Sequence, residues 1–255
     1  MVELIGLLGN CVGFAQCLRG KRFQVACGQT RFKLFLRGLF LRFDVGIELL
    51  LRQLFEREDF AVVKQRFGDE ILAAVRLADA VEDLLQHRDG LMLGVCNGFQ
   101  ALIKLGLVPF GEIRDTDETC PTLTYNTIGR HQSSIVRTRV CSNLSPWLME
   151  TRPGQVYRVP ISHGEGRFIA PEGLIRSLAA NGQIATQYVD LAGSPSMDTA
   201  FNPNGSLYAI EGVTSPDGRV LGKMGHSERV GKDLYRNVPG DYDMGLFRGA
   251  AKYFK

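Results

Sequence analysis

The stretch DGLMLGVCNGFQALIKLG, residues 89–106, constrains the fold of this chain more than any other. The apolar run over 91–95 reads as a short buried strand. CNGF follows as a tight turn, and QALIKLGLV continues with apolar residues at helical spacing as far as Pro109. Ahead of it, DEILAAVRLADAVEDLLQHRDG places Ile71, Leu72, Val75, Ala78, Val81, Leu84 and Leu85 on one helical face and stops at Gly90. Helix, strand, turn and helix in that order are the grammar of a βαβ-type chain. They predict an α/β fold with a parallel sheet.

Further along, SSIVRTRV, QVYRVPIS, QIATQYV, LYAIEGVTS and VLGKMG read as strands, punctuated by the turn formers NPNGS and SPDG. No internal repeat of 20–50 residues is present. The chain of 255 residues is long enough for one large domain or two small ones, with a sizeable core. Its formal net charge of +3 argues against a dedicated nucleic-acid binder, and no run of about 18 uncharged apolar residues marks a membrane span. The six cysteines form no CxxC pair, which fits free thiols and a cytoplasmic protein.

Residues 1–55 differ in texture. They hold eight Lys/Arg against three Asp/Glu, three of the six cysteines and no proline. RFKLFLRGLFLRFDVGIELLLRQLF follows neither a period of 2 nor one of 3.6, and its apolar positions do not sort onto one face. This divides the chain into an atypical, unassigned segment over 1–65 and an orderly domain over 66–255.

The cysteine inside the strand–turn–helix unit is where chemistry is expected. A nucleophile on such a turn is held out at the sheet edge, beside a helix N-terminus that favours the thiolate and backbone N–H groups that stabilise an oxyanion. Gly94 and Gly98 suit a turn that crowds side chains and takes positive φ. Cys96 is therefore a candidate nucleophile and the Asn97 N–H a candidate oxyanion donor. Spacing alone does not separate this from a buried cysteine used as a small core residue.

A thiol nucleophile wants an imidazole base and a carboxylate to orient it. His226, in LGKMGHSERVG, stands where a strand leaves the sheet, with Glu228 two residues on. His163 and Glu165 repeat the H-x-E spacing in the glycine-rich SHGEGRF. His87 reads as a surface residue at a helix end and His131 as a polar loop residue.

With these residues assembled, the sequence resembles the class I (triad) glutamine amidotransferases, and within them the glutaminase domain of phosphoribosylformylglycinamidine (FGAM) synthase. The resemblance rests on GVCNGFQALIKLGLVP, NTIGRHQSSIVRTRV, SHGEGRF, NGQIATQYVD, NPNGSLYAIEGVTSPDGRVLGKMGHSER and GLFRGAAKYF, which together span roughly residues 70–255. It implies a flavodoxin-like, mostly parallel sheet flanked by helices. It also implies that Cys96 forms a γ-glutamyl thioester, that His226 shuttles the proton and that Glu228 orients His226. The Asn97 N–H would supply part of the oxyanion hole, and Gln100, at the family's G-x-C-x-G-x-Q position, would help hold glutamine. His163, Glu165 and Arg167 would line the site or face the synthetase. The glutaminase step would need no cofactor. ATP and Mg²⁺ would belong to a partner FGAM synthetase domain or subunit, which takes the ammonia to convert formylglycinamide ribonucleotide to its amidine.

One departure stands out. The family's GGFSxGD loop, whose glycine supplies the other oxyanion donor, is absent from residues 1–88, and the opening strands of the sheet read as missing or altered. The first 60-odd residues read as a misframed segment, a misassigned start or a diverged extension. Two other readings follow: a catalytically impaired glutaminase-like fragment, and a metal-dependent hydrolase with His163, Glu165, His226 and Glu228 as ligands.

Overall fold

The computed structural model describes residues 23–27, 30–34 and 77–255 and divides the chain into two compact units, 1–80 and 81–255. In the first, β1 (Phe23–Cys27) pairs antiparallel with β2 (Thr30–Leu34), Phe23 opposite Leu34. The rest of the unassigned segment lies outside the described residues.

The second unit holds residues 81–255 of the stretch expected as the orderly domain over 66–255. Helical structure over 77–82 widens into the turn Asp83–His87 and ends before Gly90, as the spacing predicts. Then come β3 (Met92–Val95), α1 (Asn97–Leu105), β4 (Thr122–Tyr125), β5 (Gln132–Val140), β6 (Val156–His163) and β7 (Glu165–Ile169). They are followed by α2 (Glu172–Ala180), β8 (Ile184–Tyr188), β9 (Ile210–Thr214), β10 (Val220–Lys223) and α3 (Leu246–Tyr253). Six strands form one sheet in the order β3-β10-β9-β8-β5-β6, and β4 pairs with β7 separately.

The α/β class therefore holds, with a sheet that is mixed. Among the described strands β3 and β10 run parallel, and the four other pairings of the six-stranded sheet are antiparallel. For β9 and β10 the reason is local. SPDG closes a tight turn between β9 and β10, with Gly218 at φ 76° and the Ser215 N–H donating to Val220 O at 2.9 Å. Short connections of this kind return a strand antiparallel, whereas a parallel pair needs a long crossover.

Successive side chains of the central strands enter opposite cores. Val220 packs with Phe99, Leu102 and Ile103 of α1 and with Ile175 and Leu178 of α2. Leu221 packs with Trp147, Leu148, Leu246 and Ala250 on the other face. Strands buried on both faces lose polar/apolar alternation, and β9 and β10 are buried along their whole length. Gly222 lets α1 approach the sheet, since a Cβ there would lie 2.0 Å from the Phe99 ring.

α1 ends earlier than its spacing suggests. Gly106 caps it in the left-handed region at φ 80°, and Val108, held extended before Pro109, cannot continue it. NPNGS does more than turn the chain: Asn202, Asn204 and Ser206 are fully buried. Asn204 Nδ2 and Ser206 Oγ both donate to Gly166 O, at 2.7 and 3.2 Å, fixing β7 from behind. Among the described residues no helix is long and apolar enough to cross a membrane.

Candidate active site

Parallel pairing of β3 and β10 brings their C-terminal ends side by side, with Val95 opposite Lys223. Cys96 is the next residue after β3, and its N–H donates to Lys223 O at 2.9 Å. His226 lies three residues beyond β10, its N–H tied to Pro160 O of β6 at 2.8 Å. The topology thus delivers a thiol and an imidazole to one edge from strands that are neighbours.

Cys96 stands at φ 53°, ψ −110°, a backbone conformation costly for any residue with a Cβ, immediately before α1. The positive φ expected in this turn falls on the cysteine itself and on neither flanking glycine. Gly94 is needed for another reason: a Cβ there would meet Leu102 Cδ1 at 2.5 Å and the Gly98 backbone at 2.7 Å. A Cβ at Gly98 would meet nothing within 4 Å among the described residues, which corrects the expectation of crowding there. That side of the turn is open.

The half-buried thiol lies 3.9 Å from Ser162 O and 4.0 Å from Asn97 Oδ1. Burial pushes its pKa above the usual thiol value. The Asn97 N–H and the Arg229 guanidinium oppose this, and the Glu228 carboxylate adds to it. Burial therefore outweighs the favourable contacts from Asn97 and Arg229. The Asn97 N–H faces the sulfur and has no intrahelical acceptor at this first position of α1.

His226 is nearly buried, and its Nδ1 lies 2.6 Å from Glu228 Oε1. A carboxylate accepts, so Nδ1–H donates to it. Arg229 Nη2 lies 3.3 Å from Nε2, and a guanidinium donates only, so Nε2 is the accepting nitrogen. This tautomer makes Nε2 the accepting nitrogen on the side of the ring away from Glu228, and in this structure its lone pair takes the Arg229 guanidinium.

The other expected site residues stand on α1, β6 and β7. Gln100 Nε2 donates to Glu165 O at 2.6 Å, tying α1 to β7. Arg167 lies opposite Thr124 on the β4–β7 pair, with its Nε buried and without a hydrogen-bond partner among the described residues. His163 closes β6, 4% exposed, and neither ring nitrogen has a partner among the described residues. Its pKa is lowered to about 4, chiefly by burial. The Glu211 carboxylate opposes the shift, and His131 and His226 add to it. His131 is closer to the site than a loop residue need be, with Nε2 3.1 Å from Ser162 Oγ. His87 is exposed, 3.7 Å from Asp83, as expected.

No group of three or more His, Cys, Asp or Glu among the described residues is placed to hold a metal, so the four-ligand arrangement of the hydrolase reading does not form there. The absent GGFSxGD loop concerns residues that lie mostly outside the described ones. Sequence reasoning missed Ser162, Arg229, Glu211 and Lys223. Arg229 was in view beside Glu228 and Ser162 beside His163 in SHGEGRF, whereas Glu211 and Lys223 meet across strands.

Residues 58–254 match the CobB/CobQ-like glutamine amidotransferase domain. The chain belongs to this family. A relative in Synechococcus elongatus, named phosphoribosylformylglycinamidine synthase subunit PurQ, is 35% identical over 189 residues, covering 72% of this chain and 68% of that protein. The protein of the same name in Gloeobacter violaceus is 36% identical over 178 residues, covering 68% and 71%. The solved structure of PurLQS from Thermotoga maritima aligns over 70% of this chain and 72% of that one, with 25% identity and a TM-score of 0.48.

Proposed function

We propose that this amidotransferase is the glutaminase component of FGAM synthase in purine biosynthesis and that it works through a thioester on Cys96. The observation that carries the reading is the strained turn holding Cys96 beside β10, whose continuation carries the hydrogen-bonded His226–Glu228 pair. The names of the relatives supply the synthase assignment.

In this mechanism the Cys96 sulfur attacks the side-chain carbonyl carbon of glutamine while its proton passes to His226 Nε2. The Asn97 N–H meets the oxyanion, and one such donor is worth about 10²–10³ in rate. Collapse breaks the C–N bond, and the proton on Nε2 goes to the leaving nitrogen, which departs as ammonia. Water, deprotonated by His226, then cleaves the γ-glutamyl thioester to glutamate and restores the thiol. Glu228 holds the ring through Nδ1–H at each step.

Gln100 and the SHGEGRF residues His163, Glu165 and Arg167 form the wall against which glutamine is held. The ammonia goes to an FGAM synthetase domain or subunit, where ATP and Mg²⁺ supply the activation chemistry. Glutamate release, measured with the full chain together with synthetase, ATP and formylglycinamide ribonucleotide, tests this. Wild type turns over and Cys96→Ala does not. Equal glutamate release by Cys96→Ala would remove the thioester from the account.

A further inference from the structure

Glu211 on β9 and Lys223 on β10 are both fully buried, with Lys223 Nζ 3.2 Å from Glu211 Oε1. Two charges taken out of water are costly unless every remaining hydrogen-bonding site is filled. Here the way they are filled is informative. The three ammonium hydrogens have three acceptors: Glu211, Gly225 O at 3.0 Å and Ser227 Oγ at 2.8 Å. The carboxylate accepts from Thr186 Oγ1 and from the Gly225 N–H at 2.6 Å, and the Met224 N–H donates to the Glu211 backbone carbonyl at 3.1 Å.

The pair therefore grips both peptide groups of Gly225 and the side chain of Ser227, the residues on either side of His226. Close packing reinforces the grip, since a Cβ at Gly225 would lie 2.4 Å from Val159 Cγ1 and 2.8 Å from Glu211 Oε1. Ser227 Oγ in turn donates to Met244 Sδ at 3.1 Å. None of these groups touches the imidazole ring itself. They determine where its backbone stands.

We infer that Glu211 and Lys223 are positioning residues for the reaction, a buried ion pair that clamps the Gly225–Ser227 turn and so aims His226 at Cys96. The inference rests on the proposed role of His226 as proton shuttle. An apolar pair of similar volume would fill the same core, so fold stability alone does not call for these charges. The clamp supplies direction as well as packing: Glu211 accepts an N–H and Lys223 donates to a carbonyl of the same residue, which fixes the rotation of both peptide planes ahead of His226.

The test compares wild type with Glu211→Gln/Lys223→Met, which removes both charges together and leaves neither unpaired. Three quantities are read on the full chain: thermal midpoint, His226 ring resonance across pH by NMR, and Cys96 modification by a glutamine-mimicking diazo-ketone. The modification is resolved into its limiting rate and half-saturating concentration. The inference predicts a thermal midpoint close to wild type and a limiting rate at least tenfold lower. It also predicts a half-saturating concentration within threefold and a displaced His226 resonance beside an unmoved His87. A folded double variant with wild-type limiting rate and His226 resonance would overturn it.

If the double variant does not fold, Ser227→Ala, which deletes one arm of the clamp, serves instead. An unchanged limiting rate and His226 resonance there overturn the inference equally. Failure of the proposed function is read separately: wild type would take up no reagent on Cys96, whatever the clamp variants do to the His226 resonance.

Discussion

His163 gives the structure a pH-dependent stability whose size can be worked out. Its ring is buried against Gly166, where a Cβ would lie 2.6 Å from the imidazole Cε1, and it has no hydrogen-bond partner among the described residues. Protonation would place a charge in that environment, so the pKa falls from 6.5 to about 4. Between these values the unfolded chain takes up a proton that the folded chain refuses. Stability from this group is thus complete above pH 6.5 and is lost as pH falls toward 4. At 1.36 kcal/mol per pH unit, the loss between pH 7 and pH 4 is about 3 kcal/mol. His163→Phe keeps a flat ring and removes the titration. Urea unfolding of both proteins at pH 7, 6, 5 and 4 isolates the effect, because carboxylates titrate alike in each. The wild type should lose about 3 kcal/mol more than the variant across this range. Parallel stability curves would refute the reasoning.

The turn makes further predictions. Gly94→Ala should destabilise the protein by about 1–3 kcal/mol through collision with Leu102 and the Gly98 backbone, while Gly98→Ala, which meets nothing, should match or exceed wild type in chemical denaturation. Cys96→Gly should be more stable than Cys96→Ala by about 1 kcal/mol or more, because glycine alone relieves the strain at φ 53°, and both should be inactive. Equal unfolding midpoints for the two cysteine variants would show that the turn is unstrained.

The strand–turn–helix unit was legible because its signals are local: an apolar run, a glycine-flanked polar turn and helical spacing lie within residues 89–106. His226 and Glu228 were legible as a pair because they sit two residues apart at a strand end. The helical spacing runs on to Pro109, but α1 stops at Gly106, where a glycine able to take positive φ ends the helix first. The mixed sheet was hidden because strand direction depends on how connections return, and the first clear unit suggested parallel crossovers. NPNGS read only as a turn former, yet its polar side chains are what the buried Gly166 carbonyl needs. Glu211 and Lys223 both lie in a stretch that carries the resemblance, but nothing in their spacing marks them as a pair. Their partnership arises from β9–β10 pairing, and in the sequence each looks like an ordinary charge inside an apolar run.

The most direct measurement is peptide mapping of the full-length protein after treatment with a diazo-ketone analogue of glutamine. The account predicts one adduct, on Cys96, competed away by glutamine and lost in His226→Ala. Modification of a different cysteine, or a Cys96 adduct that persists undiminished in His226→Ala, would contradict it.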